Sequence, residues 1–174
     1  MAMATEMELE EDINLVEIWL RRDYVRWVAG ALAGAFAGVM AIIAGMVIVK
    51  LGHGQDVWYP VKLMATPILG RSATDFAMDP THLIVGFLMI EAICVFWGVM
   101  YGHFVSTNRI APLLAMGLVW GLFSWIFTWN LFLQSFKMIF ATHTPSGAVF
   151  FVCLAYGFSL ASISLFDRLF RKRA

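Results

Sequence analysis

The chain has few charged residues for its length. It holds 12 Lys and Arg and 12 Asp and Glu among 174 residues, whereas 61% of its residues are hydrophobic. A soluble domain carries about 25% charged residues, since these cover its surface. The composition therefore excludes an ordinary soluble globular domain. The formal net charge of zero gives no reason to expect a nucleic-acid partner.

The sequence also lacks the short motifs of common enzyme classes. No P-loop, G-x-S-x-G, H-E-x-x-H or dinucleotide-binding fingerprint occurs in it. Its two cysteines, Cys94 and Cys153, fall in apolar runs at predicted depths about 12 Å apart. That separation is too large for a disulfide, so both are predicted to pack as small apolar side chains. We therefore expect no catalytic activity of the chain's own and predict no cofactor.

Most of the chain consists of long apolar runs with almost no charged residues. Each run exceeds the roughly 20 residues that a helix needs to cross a bilayer, and in lipid a helix satisfies its own backbone groups. We predict an all-α integral membrane protein, one membrane domain over 1–174, whose four transmembrane helices form an up-down bundle. The predicted spans cover about residues 26–50, 80–104, 110–133 and 146–167.

The residues before the first span predict an amphipathic helix over 6–24. One apolar stripe recurs there at spacings of three and four residues, and it consists of Leu9, Ile13, Val16 and Leu20. Five acidic residues open this segment and arginines follow it, the order that the helix dipole favours. We expect this helix to lie along the membrane surface or to contact a partner protein.

The longest connection, between the first two spans, predicts a short half-helix at the outer interface. Pro60 suits its first turn and Gly70 suits its end. Trp58 and Tyr59 precede the half-helix and are typical interfacial anchors.

The distribution of Lys and Arg predicts the orientation. Of the 12 Lys and Arg residues, eight flank one side of the predicted membrane and four flank the other. Because the cytoplasmic side carries the excess, both termini are predicted to be cytoplasmic, and the bacterial inner membrane is the expected location. The acidic N-terminus lacks the basic start of a cleavable signal, so the first span is expected to be retained. The basic C-terminal tail, DRLFRKRA, favours anionic lipid headgroups, and bound lipid is expected.

Small residues repeat every fourth position in the first span. Gly30, Gly34 and Gly38 form one such row, and a second row runs through Ala33, Ala37, Ala41 and Gly45. Small residues let helix backbones approach closely in lipid. We predict neighbours on more than one side of this helix, some of them from other chains. Gly98 and Gly102 mark a packing face on the second span.

Glu91 is the one charged residue inside the apolar runs. It lies about eleven residues into its span, or roughly 15 Å deep, close to the midplane. An ionisable group at that depth is costly and usually functional. Ser124, Tyr156 and Ser159 lie at similar predicted depth as hydrogen-bond donors, and no Lys or Arg does.

Two interpretations of Glu91 are open. Because desolvation favours the neutral acid, Glu91 is either a proton-titrating or ion-coordinating group, or a protonated side chain that hydrogen-bonds a neighbouring helix. That neighbour can belong to this chain or to another subunit.

Three histidines map to the outer side of the predicted membrane. His53, His82 and His143 each lie near the end or the start of a different span. Imidazole nitrogens could bind copper or zinc there. No H-x-x-x-H, H-x-H or C-x-x-C spacing supports such a site.

Three functions are compatible with this sequence. The leading hypothesis is a non-catalytic accessory subunit of a larger integral membrane complex, for which a respiratory or oxidase-type assembly is a suitable setting. Its expected partners are membrane lipids and other integral membrane subunits. The alternative is a small oligomeric transporter or channel, ion- or proton-coupled through Glu91. The third is an outer-face metal-binding membrane protein.

Overall fold

The computed structural model describes residues 23–53, 56–74, 79–133 and 146–172. Within these ranges the regular structure is entirely helical. The α-helices are α1 (Tyr24–His53), α2 (Tyr59–Leu69), α3 (Pro80–Phe104), α4 (Ile110–Trp125), α5 (Ser146–Ser159) and α6 (Ile163–Arg171). A π-helix, Ile126–Leu133, continues α4, and a 3-10 turn, Leu160–Ser162, joins α5 to α6.

Four helical stretches are long and apolar enough to cross a membrane. They are Tyr24–Gly52, Pro80–Phe104, Ile110–Trp129 and Ser146–Arg171. The prediction of an integral membrane protein with four candidate spanning helices is confirmed at this level of length and composition. The amphipathic helix predicted over 6–24 falls almost wholly outside the described residues.

The start of α3 follows directly from its sequence. The Asp79 side chain accepts a hydrogen bond of 2.8 Å from the backbone N–H of Thr81, and Pro80 occupies the first turn. Aspartate at the N-cap and proline at the first helical position satisfy or remove donors that a helix start leaves free. At the other end, Val105 is extended, with φ −99° and ψ 109°, which ends the helix before Arg109 opens α4.

Helix α1 has the most neighbours, since it packs against α3, α5 and α6. Its glycine row lies on α3. A Cβ added to Gly34 would lie 2.5 Å from the Cys94 carbonyl oxygen and 3.0 Å from the Cα of Gly98. A Cβ on Gly30 would lie 3.3 Å from the Cα of Gly102. Residue numbers at the contact rise along α1, from Gly30 to Gly34, while they fall along α3, from Gly102 to Gly98. The two helices are therefore antiparallel.

The alanine row of α1 is buried in the core of the same chain. Ala29, Ala33 and Ala37 are fully buried, within a cluster that includes Tyr101, Leu113, Tyr156, Leu160 and Ile163. The predicted neighbours on more than one side of this helix are therefore present within the monomer. The two small-residue rows do not by themselves require a second chain.

Helix α4 joins the others in two different ways. It packs directly on α5, where a Cβ on Gly121 would lie 2.6 Å from the Cys153 carbonyl oxygen. Between α3 and α4, aromatic rings fill the space, with Trp97 in edge contact with Trp120 and with Phe123. Glycine contacts thus bring the backbones of α4 and α5 together, whereas aromatic rings in edge contact hold α3 and α4 further apart.

Helix α2 packs on α3 at the end of the molecule opposite to Arg26. Gly86 makes this approach possible, because a Cβ there would overlap the Val61 backbone carbonyl. Gly70 ends α2 with φ 77°, a backbone conformation that glycine adopts without strain. We call the end of the molecule that holds Tyr24, Phe104 and Arg171 the Arg26 end, and the other the Lys62 end.

Candidate functional site

Glu91 lies on the seam between α3 and α1. A Cβ built on Gly38 would lie 2.9 Å from Glu91 Oε1 and 3.0 Å from Oε2, so the carboxyl group sits over the bare backbone of that glycine. Cys94 flanks the same position, 3.0 Å from that Cβ. The glycine predicted as a packing residue therefore provides the space that the carboxyl group occupies.

The carboxyl group is incompletely satisfied by this chain. Glu91 Oε1 is buried, and it has no hydrogen-bond partner among the described residues. The side chain as a whole is half-buried, so Glu91 reaches the surface of the seam. A buried polar oxygen that lacks a donor costs about 1–3 kcal/mol. The site therefore has an unused acceptor within the apolar span.

Two of the three predicted donors, Tyr156 and Ser159, are engaged elsewhere. Tyr156 is buried and its hydroxyl donates to the Cys94 carbonyl oxygen at 2.7 Å. The Ser159 hydroxyl donates to the Ala155 carbonyl oxygen in its own helix at 2.8 Å. Ser124 is also buried, and its Oγ has no partner among the described residues.

The seam is closed on both sides of Glu91. Towards the Arg26 end, the backbones of α1 and α3 touch at Gly34 and Gly98. Towards the Lys62 end, α2 covers α3 at Gly86, and Pro60 lies 3.6 Å from a Cβ built on Gly45. Glu91 thus occupies a short window in the seam, bounded by two backbone contacts.

The histidines predicted as metal ligands are only partly described. His82 is largely buried, and its Nε2 lies 3.8 Å from Asp79 Oδ2. His53 is the last residue of α1, and His143 lies outside the described residues. Within the described ranges, no group of three or more His, Cys, Asp or Glu is placed to hold a metal ion. The metal site stays a prediction.

An ionic cluster at the Arg26 end was missed by the sequence patterns. Arg26 and Asp167 are each only 1% exposed, and Arg26 Nη1 lies 3.3 Å from Asp167 Oδ2. Asn108 donates to the same carboxylate at 2.7 Å. Arg171 donates to Asp167 at 3.2 Å, and it also pairs with Asp23. The cluster joins the start of α1, the loop before α4 and the last helix.

The Arg26 guanidinium donates four hydrogen bonds within this cluster. Its Nε and Nη2 donate to the Val105 carbonyl oxygen at 3.1 and 2.9 Å, and Nη2 also donates to the Thr107 carbonyl oxygen at 2.7 Å. Nη1 donates to Asn108 Oδ1 and faces Asp167. Guanidinium has five N–H donors, and the hydrogen bonds together with the ion pair engage all three of its nitrogen atoms. The Val105 and Thr107 carbonyl oxygens, which follow the end of α3, are thereby given donors.

A second buried cation lies at the Lys62 end. The Lys62 side chain is 2% exposed, and its Nζ donates to Asp56 Oδ2 at 2.8 Å. This hydrogen bond holds the pKa of Asp56 below its usual value, with a further contribution from the Trp58 backbone N–H. The pair fastens the start of α2 to the connection that precedes it.

Comparison of the chain with protein-family models, with curated proteins and with solved structures found no match. The geometry of the site is therefore the basis for the function proposed below.

Proposed function

We propose that this protein is a non-catalytic accessory subunit of a larger integral membrane complex. The observation that carries the proposal is the unused acceptor of Glu91, buried at the α1–α3 seam without a donor among the described residues. A helix of another subunit that brings a donor to this seam would satisfy it. Rotation of the carboxyl group exchanges its two oxygens, so a donor arriving at the half-buried surface can reach either one.

The closed seam favours this role over transport. A carboxyl group that carries protons or ions needs polar access from each side of the membrane. Glu91 is instead bounded by the Gly34–Gly98 contact and by α2 at Gly86. At the Arg26 end, the Arg26–Asp167 pair closes the space between α1, α6 and the loop before α4. These contacts support an interface group within an apolar seam.

The orientation and topology form part of the same proposal. We place the Arg26 end on the cytoplasmic side, because the excess of Lys and Arg flanks that end. Two antiparallel contacts support an up-down bundle: α1 packs on α3, and α4 packs on α5 with Gly117 beside Gly157 and Gly121 beside Cys153. We propose that α2 lies at the opposite interface. The bacterial inner membrane is the proposed location.

The experiment is recovery of partners from native membranes. We expect the tagged chain, extracted in mild detergent, to migrate with other integral membrane subunits on native electrophoresis and to bring them into mass spectrometry. Glu91→Leu should reduce their recovery, because it removes the acceptor. Glu91→Gln should keep it, because the amide still accepts a hydrogen bond. Val119→Ala, an exposed position on α4, is the matched control and should change nothing.

Two results would contradict the proposal. The first is a wild-type chain that migrates only as a homo-oligomer. The second is a proton or ion flux in proteoliposomes that wild type shows and Glu91→Gln abolishes, since that result assigns Glu91 to transport.

A further inference from the structure

One exposed face of α6 carries leucines that alternate with cationic side chains, and we call this face the stripe. Leu165 and Leu169 are 61% and 55% exposed, and Arg168 and Lys172 are exposed beside them. The four residues are spaced by three, one and three positions, so they share one face of the helix. The opposite face, which includes Asp167, is buried against α1, and this contact fixes the direction of the stripe.

The cations of this stripe take no part in the ion pairs of the buried Arg26 cluster. Asp23 and Asp167 offset the charges of Arg26 and Arg171. Arg168 and Lys172, by contrast, form no ion pair with any residue in the described ranges.

Arg109 is a third cation at the Arg26 end. It is exposed and likewise has no ionic partner in the described part of the chain. The hydrogen bond from Asn108 to Asp167 joins the residues that precede Arg109 and Arg168. The Arg26 end therefore carries three exposed cations, and α6 adds two exposed leucines there.

We propose that this stripe, together with Arg109, binds the headgroup of an anionic phospholipid. The face begins with Leu165 and ends with Lys172, about 10 Å further along the helix, with Arg168 and Leu169 between them. Acyl chains and phosphate follow each other in the same order in a leaflet. The leucines contact the acyl chains, and the cations contact the phosphate. This proposal stands independently of the accessory-subunit function, because it uses none of the residues around Glu91.

The test is native mass spectrometry of the purified full chain titrated with phosphatidylglycerol or phosphatidylcholine. Wild type is expected to bind phosphatidylglycerol more tightly. Arg168→Gln combined with Lys172→Gln should weaken phosphatidylglycerol binding about five-fold for each cation removed and leave phosphatidylcholine unchanged. Lys50→Gln removes an exposed cation at the Lys62 end and should leave both affinities unchanged.

A charge-retaining variant separates binding from folding. Arg168→Lys combined with Lys172→Arg keeps both charges and should keep the preference for phosphatidylglycerol. Leu165→Ala should weaken both lipids equally, because it removes contact with acyl chains alone.

Three outcomes would overturn the proposal. These are an absence of preference in wild type, an undiminished preference in the glutamine variant, and displacement of phosphatidylglycerol by millimolar inorganic phosphate. The last would make the stripe a site for free phosphate.

Discussion

Arg26 and Asp167 form an ion pair that joins the two ends of the described chain. Their nearest atoms are 3.3 Å apart, and each side chain is only 1% exposed. A charge taken out of water is costly unless it is paired and hydrogen-bonded. Here the pair is supported by Asn108 and by the carbonyl groups at the end of α3, so its members depend on one another.

Removing one member of this pair should destabilise the protein severely. Asp167→Ala leaves the buried guanidinium without its carboxylate, and we expect a loss of about 3–5 kcal/mol in the free energy of unfolding. Reversible unfolding in mixed detergent micelles measures it. Combining Arg26→Met with Asp167→Leu should recover much of the loss, because no unpaired charge remains. Arg168→Gln, at an exposed neighbour, should stay within about 0.5 kcal/mol of wild type. An unchanged Asp167→Ala variant would show that the pair contributes nothing.

The glycine contact between α1 and α3 should not accept even one methyl group. Gly34→Ala places a Cβ 2.5 Å from the Cys94 carbonyl oxygen, so the two backbones must separate. We expect a loss of about 1–3 kcal/mol in the same unfolding assay, the usual cost of overpacking. Gly147→Ala is the matched control, because a Cβ there meets nothing within 4 Å. It should be neutral or stabilising by up to about 1 kcal/mol. Equal effects of the two substitutions would argue against the contact.

The Tyr156 hydroxyl should contribute a measurable interhelical hydrogen bond. It donates to the Cys94 carbonyl oxygen at 2.7 Å and so joins α5 to α3. Tyr156→Phe removes the donor and keeps the ring, and hydrogen bonds between membrane helices are worth about 0.6 kcal/mol, up to about 1.7. The unfolding free energy should fall by an amount in that range. Tyr24→Phe, at a side chain that is 63% exposed, should cost less. A gain in stability from Tyr156→Phe would contradict this assignment.

Acid should loosen the start of α2 through Asp56. The hydrogen bond from Lys62 lowers the pKa of Asp56 from 3.8 in the folded state. A carboxylate with a depressed pKa contributes stability that is present above its unfolded value, near 3.8, and lost as pH falls through the folded value. Amide hydrogen exchange of α2, followed as pH is lowered to that region, should therefore speed up beyond its intrinsic pH dependence.

Asp56→Asn tests the origin of that acid sensitivity. The amide does not titrate, so α2 in this variant should exchange faster at neutral pH and show no further loosening on acidification. Acid loosening that is equally large in wild type and in Asp56→Asn would assign it to another group.

Much of the helical architecture could be read from the sequence because lipid imposes strict rules on it. Runs that lack charge must be helical to satisfy their backbone, which located the four long helices. The pair Asp79 and Pro80 marked the start of α3, since both act on the adjacent backbone. The glycine rows of α1 and α3 were recognisable as packing faces, because every fourth residue of a helix lies on one side.

The site was less accessible to sequence reasoning. Glu91 and its depth were evident, because a carboxylate in an apolar run is exceptional. The contact of its carboxyl group with Gly38 depends on the register between α1 and α3. The spacing of residues within either helix does not reveal that register. Tyr156 packs beside α3 three residues along from Glu91, yet its hydroxyl donates to the Cys94 carbonyl oxygen, since the direction in which a donor points depends on how α5 packs.

The sequence by itself therefore determined which segments are long and apolar enough to cross a membrane and how far along its helix each residue lies, because hydropathy and a rise of about 1.5 Å per residue are local properties. Only the tertiary structure decided which side chains meet. Arg26 looked like one of several flanking cations, yet it is buried, hydrogen-bonded and paired with Asp167, whereas Arg168 remains exposed. The difference arises from residues 79 and more positions away, whose carbonyl and carboxylate groups are brought to Arg26 by the packing of α1 against α3 and α6.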